Sequence, residues 1–254
     1  MAGEAVPRER LEMSPLRRHV QSSYSSRLLA GPEPFVLHVF PDGFVDLLWG
    51  PTGQLRVAGP DPRYRTVALP TGTVLAVRFR RGAASGLLGV PLSELAGLRV
   101  PLADLWGPDA DRITEQIEAA PSEQHALRAM RQALLDRLPD ARSPDPLVAA
   151  AIELLRRSPA TRVADLCDDL GVSDRQLRRR FHLEVGYGPK TLQRIFRVHE
   201  FLRLSREGQA YGIAELAGAV GFVDQAHLTN ECVELMGFTP VAIIERCARR
   251  CGAT

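Results

Sequence analysis

A run of cationic and amide side chains lies within the nine residues from Ser173 to Phe181, which read Ser-Asp-Arg-Gln-Leu-Arg-Arg-Arg-Phe. Leu177 and Phe181 are four residues apart, so on a helix they share one buried face and most of the arginines project from the other. Arginine forks match the O6 and N7 acceptors of guanine, at about 1–3 kcal/mol of discrimination for each good pair. The pattern predicts a helix that reads DNA and whose N-terminus is capped by Ser173. The candidate contacts are Ser173, Arg175, Gln176, Arg178, Arg179 and Arg180, of which Arg180 follows the buried side more closely and is expected to reach a phosphate or an acid.

The same pattern of buried residues recurs 50 residues later, and the offset becomes 51 after the glycine of the turn. The outward-facing side chains of the second copy differ from those of the first. The second reading helix, predicted between Asp224 and Met236, contains no Lys or Arg, and none occurs between Arg206 and Arg246. Since phosphate neutralisation supplies much of the affinity for DNA, this copy should bind weakly. Asparagine and glutamine suit adenine. The side chains able to read base edges here are Gln225, His227, Thr229 and Asn230.

Each copy consists of a short helix, a glycine turn and an amphipathic helix, the pattern of a helix-turn-helix unit whose second helix enters the major groove. The two units span 161–185 and 212–236. A helix near 189–206 joins them and is about 27 Å long at roughly 1.5 Å per residue, which approaches one duplex turn. Arg194 on this helix is a candidate DNA-backbone contact, whereas Arg197 is as suited to a structural ion pair.

The remainder of the chain predicts an α+β protein. Residues 35–107 hold short β-branched and aromatic runs separated by Gly and Pro turns, which suggests a small antiparallel barrel or sandwich. Helical spacing follows near 109–119 and 122–138, and a Pro- and Asp-rich linker follows at 139–146. The expected divisions are therefore a flexible start at 1–25, a β-rich domain at 26–138, that linker, and an all-α domain at 147–254.

The second of these helices carries an apolar stripe with two possible partners. Leu127, Met130, Leu134 and Leu138 recur at helical spacing along it. The stripe can pack on the β-rich domain or form the seam of a homodimer, and the sequence does not decide between them.

An effector pocket in the β-rich domain is suggested by Asp42, Asp46, Trp49 and Arg78, with the aromatic ring as a platform and the charges as orienting groups. Each of these residues also has a plain structural interpretation as a turn, core or strand residue. His19, His38 and His125 form no ligand pair of the kind a metal site needs, so no metal or other cofactor is expected.

The composition is typical of a globular protein and gives no sign of a membrane-spanning segment. The formal net charge is +2 over 254 residues, and 45% of the residues are hydrophobic. No apolar run approaches the roughly 20 residues that cross a bilayer. The four cysteines favour a reduced, cytoplasmic chain, with Cys247 and Cys251 leaving a redox or metal sensor as a lesser alternative.

The C-terminal pattern resembles the AraC/XylS family of bacterial transcription regulators. The resemblance rests on the segment 173–181, on Gly186-Tyr187-Gly188-Pro189, on Arg197, and on segments 221–228 and 237–240. It departs from the family at Asn230, where an arginine is usual, and at Cys232, where phenylalanine is usual. Segments 40–49, 77–79 and 87–91 look like an uncharacterised sensor-type domain found ahead of such modules, and by analogy that half is cupin-like.

The resemblance implies a sequence-specific transcription factor under small-molecule control, with no enzymatic activity. Its expected partner is double-stranded operator DNA at the nucleoid. RNA polymerase and a second copy of the chain are further partners that the resemblance allows, and no membrane is expected. One alternative is a ligand-independent binder whose N-terminal half only dimerises or contacts other proteins. The other is a sensor with vestigial enzyme-like chemistry in the barrel.

Overall fold

The N-terminal half folds as antiparallel sheet within the residues that the structure, a computed structural model, describes: 14–28, 35–206 and 212–251. A five-stranded sheet has the order β1-β6-β3-β4-β7, and β2 and β5 form a separate two-stranded sheet. The strands are β1 (Val20–Leu28), β2 (Phe35–Val39), β3 (Asp46–Trp49), β4 (Leu55–Ala58), β5 (Arg65–Leu69), β6 (Gly72–Phe79) and β7 (Arg99–Pro101).

The central strands alternate between a buried and a more open face. Leu47 and Val77 are opposite each other in the β3–β6 pair and are fully buried. Their neighbours Asp46 and Arg78 are also opposite each other, and successive side chains along a strand point to opposite faces. One face of the sheet is therefore core, and the other holds charged groups.

The expected flexible start is wrong from residue 14 onward. A 3-10 turn covers Pro15–Arg18, and β1 then pairs with β6 from Val20 opposite Phe79 to Leu28 opposite Gly72. The polar sequence of β1 gave no apolar signal, yet ladder hydrogen bonds use only the main chain and Ser23 is fully buried. Residues 1–13 lie outside the described residues.

Four helices complete this half: α1 (Ser85–Leu88), α2 (Ala103–Trp106), α3 (Pro108–Glu118) and α4 (Glu123–Arg137). Ser122 caps α4 by accepting from the amide of His125. Leu127, Met130 and Leu134 are at most 2% exposed and belong to the core formed with the sheet, and Leu138 packs against that core. The apolar stripe of α4 therefore packs on the sheet, and it is not available as a dimer seam.

The C-terminal half is helical, so the predicted α+β class is confirmed. Its helices are α5 (Pro146–Arg157), α6 (Val163–Asp169), α7 (Asp174–Glu184), α8 (Pro189–Arg206), α9 (Ile213–Ala219), α10 (Gln225–Met236) and α11 (Pro240–Cys251). The helix pairs α6–α7 and α9–α10 are the two repeats, and α8 joins them. No helix in the described part of the chain is long and apolar enough to cross a membrane.

Two core clusters lie side by side and touch directly. One runs from Leu16 to Leu134, and the other runs from Val148 to Ile243 with Phe40 of the N-terminal half packed against it. The domain limits expected from the sequence stay predictions, although the described chain between α4 and α5 is short and holds only a 3-10 turn at Leu138–Asp140.

A cluster of four rings joins the two halves; we call it the aromatic junction. His38, Phe40 and Tyr64 of the N-terminal half surround Phe238, with Tyr64 and Phe238 centroids 5.1 Å apart. The amide of Tyr64 donates to the carbonyl of Leu235 at 2.7 Å. The N-terminal half thus holds the end of α10.

Candidate nucleic-acid interface

The first reading helix, α7, begins with a capping box. The Ser173 hydroxyl accepts from the amide of Gln176 at 3.3 Å, and the Gln176 side-chain oxygen accepts from the amide of Ser173 at 3.1 Å. Two of the amides that a helix start leaves unpaired are thereby satisfied. Ser173 and Gln176, both predicted DNA contacts, are therefore engaged in the cap that fixes the helix start.

The outward face of α7 carries free cations. Arg175 and Arg179 are exposed one turn apart, and neither has a hydrogen-bond or ion-pair partner among the described residues. Arg178 is also exposed, with Asp174 at 2.9 Å one turn away. Leu177 and Phe181 are fully buried beneath them. The three arginines predicted to project from the helix do so.

Arg180 faces the protein instead. Its guanidinium lies 2.7 Å from the carboxylate of Asp145, which also caps α5 by accepting from the amide of Leu147 at 2.9 Å. Of the two partners expected for Arg180, a DNA phosphate or an acid, the structure shows the acid, because its position next to buried Phe181 turns it toward α5. The ion pair fixes α7 against α5.

The second reading helix, α10, exposes Gln225 and Asn230, which have no side-chain partner in the described part of the chain. Thr229 donates its hydroxyl to the carbonyl of Gln225 at 2.8 Å, within its own helix. The ring of His227 packs edge-on against Phe222 at 5.2 Å. Of the four predicted base readers, the structure leaves Gln225 and Asn230 open.

Arg194 of α8 is held by the acids of α10. Its guanidinium lies 2.7 Å from Glu231 and 2.6 Å from Glu234, and Glu234 is also 3.3 Å from Arg63 of the N-terminal half. The predicted DNA-backbone contact of Arg194 thus competes with two ion pairs inside the protein. Arg197 is structural too, since it donates to the carbonyl of Pro159 at 2.8 Å.

The ion pairs of these two acids were not predicted from the sequence. Glu231 and Glu234 are one turn apart, so both face α8, where Arg194 is the cation within reach. The sequence signal that could have predicted these ion pairs is that α10 contains two glutamates and no basic residue of its own.

Three of the four residues proposed for an effector pocket form a closed charge cluster. Arg78 donates to both oxygens of Asp46 at 2.8 Å and lies 3.2 Å from Asp42. The guanidinium also sits 4.7 Å from the ring centre of Phe44. Burial raises the pKa of Asp46, and its hydrogen bonds with Arg78 act in the opposite direction. The single guanidinium is already engaged by both carboxylates, so these three residues keep one net negative charge and offer no free cation to an anionic ligand.

Trp49 does not belong to that cluster. It is three residues beyond Asp46 on β3, so the alternation of the strand turns it to the opposite face, where it packs on the core. A pocket that combines Trp49 with Asp42, Asp46 and Arg78 is therefore wrong on geometry.

A cavity of about 320 Å³ lies elsewhere in the N-terminal half, between α1, α3, α4 and the start of the linker. We call it the linker cavity. Its walls come from three separate segments, which is why no local motif marked it. Its principal lining residues are Leu87, Trp106, Asp109, Arg112, Asp136 and Arg137.

The described cysteines are unreactive in character. Cys167 and Cys232 are buried free thiols, and burial raises the pKa of Cys232 to about 12. Among the residues that the structure covers, no group of three or more His, Cys, Asp or Glu side chains could hold a metal ion. The redox alternative concerned Cys247 and Cys251, whose side chains lie outside those described.

Fold comparison finds similarity to ToxT from Vibrio cholerae. One ToxT structure aligns with a TM-score of 0.43 and 12% identity over 88% of this chain and 96% of that chain. ToxT bound to an unsaturated fatty acid aligns with a TM-score of 0.41 and 11% identity, over 87% and 93% of the two chains. Comparison with curated proteins gives no significant match.

Two family models match the sequence. A domain of unknown function (DUF6597) matches residues 12–101, and a helix-turn-helix domain matches residues 166–246. The second match contains α7, α8 and α10, and it confirms the resemblance to the AraC/XylS family. The chain therefore carries the AraC-type helix-turn-helix domain of a DNA-binding transcription regulator in its C-terminal half, with a domain of unknown function ahead of it.

Proposed function

We propose that this protein is a sequence-specific transcription factor that holds its operator mainly through α7 and only weakly through α10. The single observation that carries the proposal is the charge contrast between the two helices. Arg175 and Arg179 stand exposed and unpaired on α7, whereas α10 has no cation and carries Glu231 and Glu234.

The two helices can reach one face of a duplex. The connecting helix α8 has 18 residues and so extends about 27 Å at roughly 1.5 Å per residue. One turn of DNA is about 34 Å, so adjacent major grooves lie within reach of a single chain. The capped start of α7 would point its arginines at guanine edges, and Arg180 would hold the helix to α5 while it does so.

The second unit would add discrimination more than affinity. Asn230 and Gln225 are open and have the amide chemistry that pairs with adenine. Val233 is 48% exposed on the same helix and could contact a thymine methyl group. The carboxylate of Glu234 is 44% exposed and would repel nearby phosphates. Weak binding by α10 therefore follows from its charge.

The proposal is tested by comparing one residue from each helix. Operator fragments are first recovered by genome-wide mapping of bound sites, and affinities are then measured by fluorescence anisotropy at one fixed salt concentration. Arg179→Ala should weaken operator binding by about 1–3 kcal/mol, which is about 5- to 150-fold, and Asn230→Ala should cost clearly less.

Arg18→Ala is the matched control, because Arg18 is an exposed arginine of the N-terminal half. Its operator affinity should equal that of the unmodified protein. Equal losses for Arg179→Ala and Asn230→Ala would show that the two helices contribute alike and would refute the asymmetric model.

We also propose that the N-terminal half controls DNA binding in response to a small molecule. Support comes from the direct contacts between the halves at both reading units. Glu184, the last residue of α7, pairs with Arg142 at 2.9 Å and accepts from Ser85, while Tyr64 holds α10. This function requires no catalytic group, and such a regulator would work at the chromosome in the cytoplasm.

A further inference from the structure

We propose that the linker cavity is the effector site, and that it takes a small zwitterion with an apolar body, of the amino-acid or short-peptide class. The inference deepens the proposed function, on which its regulatory consequence rests. The cavity volume of about 320 Å³ lies at the lower end of the range for small-molecule sites.

Two acids of the cavity, Asp136 and Asp140, have no cationic partner in the described structure once both of its arginines have paired with Asp109. Arg112 and Arg137 both turn to Asp109, at 2.8 and 3.5 Å. Asp136 accepts a hydrogen bond from Gln132 at 2.8 Å. Neither Asp136 nor Asp140 has a cationic partner among the described residues. Both carboxylates are exposed, so the ammonium group of a ligand could pair with them.

The arginines of the cavity offer donors. Each guanidinium has more N–H groups than its single shared carboxylate can accept, so both retain donors for an incoming carboxylate.

The floor between these charges is apolar. Trp106 is 5% exposed, and Leu87 and Ile113 beside it are also buried. Arg137 lies 4.4 Å from the centre of the indole ring, which fixes the guanidinium above the floor. A hydrocarbon side chain would rest here while its charged groups meet the rim.

The cavity also touches the connection to α7. Gly86 and Ala141 line it, and a methyl group at Gly86 would overlap the carbonyl oxygen of Arg142, so linker and α1 are in direct backbone contact. Arg142 donates to Ser85 at 3.1 Å and pairs with Glu184 at 2.9 Å. A ligand would therefore press on the linker one residue away from the cation that holds the end of the reading helix.

The binding test uses Trp106 as its own reporter. The chain has two tryptophans, so Trp49→Phe leaves Trp106 as the sole indole in the full-length protein. We would titrate this variant with phenylalanine and with the dipeptide leucyl-phenylalanine, and confirm affinities by calorimetry on the unmodified chain. At least one zwitterion should give a saturable fluorescence change. The singly charged analogues 2-phenylethylamine and 3-phenylpropanoate should bind on the order of tenfold more weakly.

Matched variants separate the site from surface effects. Asp136→Asn removes a cavity charge without changing shape and should weaken zwitterion binding on the order of tenfold. Asp111→Asn, an exposed residue of α3 outside the cavity lining, should bind like the unmodified protein. No saturable change with either zwitterion up to its solubility limit, or equal losses in both variants, overturns the proposal.

The regulatory arm is measured separately by anisotropy with operator DNA. Saturating zwitterion should shift the operator affinity of the unmodified protein by at least a few-fold, and Glu184→Gln should keep ligand binding but lose that shift. An unchanged operator affinity with ligand bound overturns the effector role. Failure of the proposed DNA binding itself would appear as no operator affinity in any sample, while the Trp106 titration would still judge the cavity.

Discussion

At the scale of single residues, the groups around α7 divide into those that build the helix and those left for DNA. Ser173 and Gln176 close its start, and Arg180 ties it to Asp145. Arg175 and Arg179 remain without partners in the described structure. Sequence spacing alone separated buried from outward positions correctly. It could not tell a capping glutamine or a paired arginine from a base reader, because those roles depend on neighbours at the helix start and on α5.

Replacing the cap should destabilise the protein. Ser173→Ala removes the hydroxyl that accepts from the amide of Gln176 and should lower the free energy of unfolding by about 1 kcal/mol, measured by urea denaturation. Ser173→Asp retains a capping oxygen and should cost clearly less. Similar losses for both variants would mean that the capping box does not stabilise α7.

At the scale of elements, the acids of α10 hold the helix to the rest of the protein and disfavour contact with DNA phosphates. Glu231 and Glu234 engage Arg194, and Arg63 reaches Glu234 from the N-terminal half. The helix itself was predictable from the repeat, because its apolar frame is local. The ion pairs were not, since they join residues 37 and 40 positions apart in the chain.

Neutralising one of these acids should strengthen general DNA binding. Glu234→Gln removes a partly exposed negative charge and one of the two partners of Arg194. Affinity for a non-operator duplex should rise a few-fold at low salt, and the gain should shrink as salt increases. Glu118→Gln, an exposed acid on α3, should change nothing in the same anisotropy assay. A gain that does not depend on salt would contradict an electrostatic cause.

At the scale of the whole molecule, the two halves are joined at several points that local sequence patterns could not predict. The fold class followed from runs of strand and helix residues, and the helix bounds agreed closely with the structure. The linker cavity, the aromatic junction and the Ser85–Glu184–Arg142 contacts bring together residues distant in the sequence. The prediction that Trp49 shares a pocket with Asp46 and Arg78 was wrong, because the alternation of side chains along a strand decides which residues share a face.

Acidification should loosen the contact between the halves. His199 of α8 donates from Nε2 to the carbonyl of Pro41 at 2.7 Å, and loss of water lowers its pKa from the ordinary 6.5, with Asp42 and Arg81 nearby. The unfolded chain therefore binds more protons here below about pH 6.5, so stability rises with pH through that range and falls on acidification.

The slope from His199 should be at most about 1.4 kcal/mol per pH unit in urea unfolding curves measured above and below pH 6.5. His199→Gln keeps an N–H donor but does not titrate, so its curves should lose that part of the pH dependence. His182→Gln, at an exposed site on α7, should retain it. An unchanged slope in His199→Gln would assign the effect to other groups.

The aromatic junction also limits how this protein can be recombined with its relatives. Phe238 follows directly on α10, and three rings of the N-terminal half supply its packing. A chimera that attached this DNA-binding module to another sensor would remove part of the packing of Phe238 unless the grafted sheet restored side chains like Phe40 and Tyr64. The second reading unit is thus assembled from both ends of the chain, and the exchangeable part of the molecule is the pair of halves together.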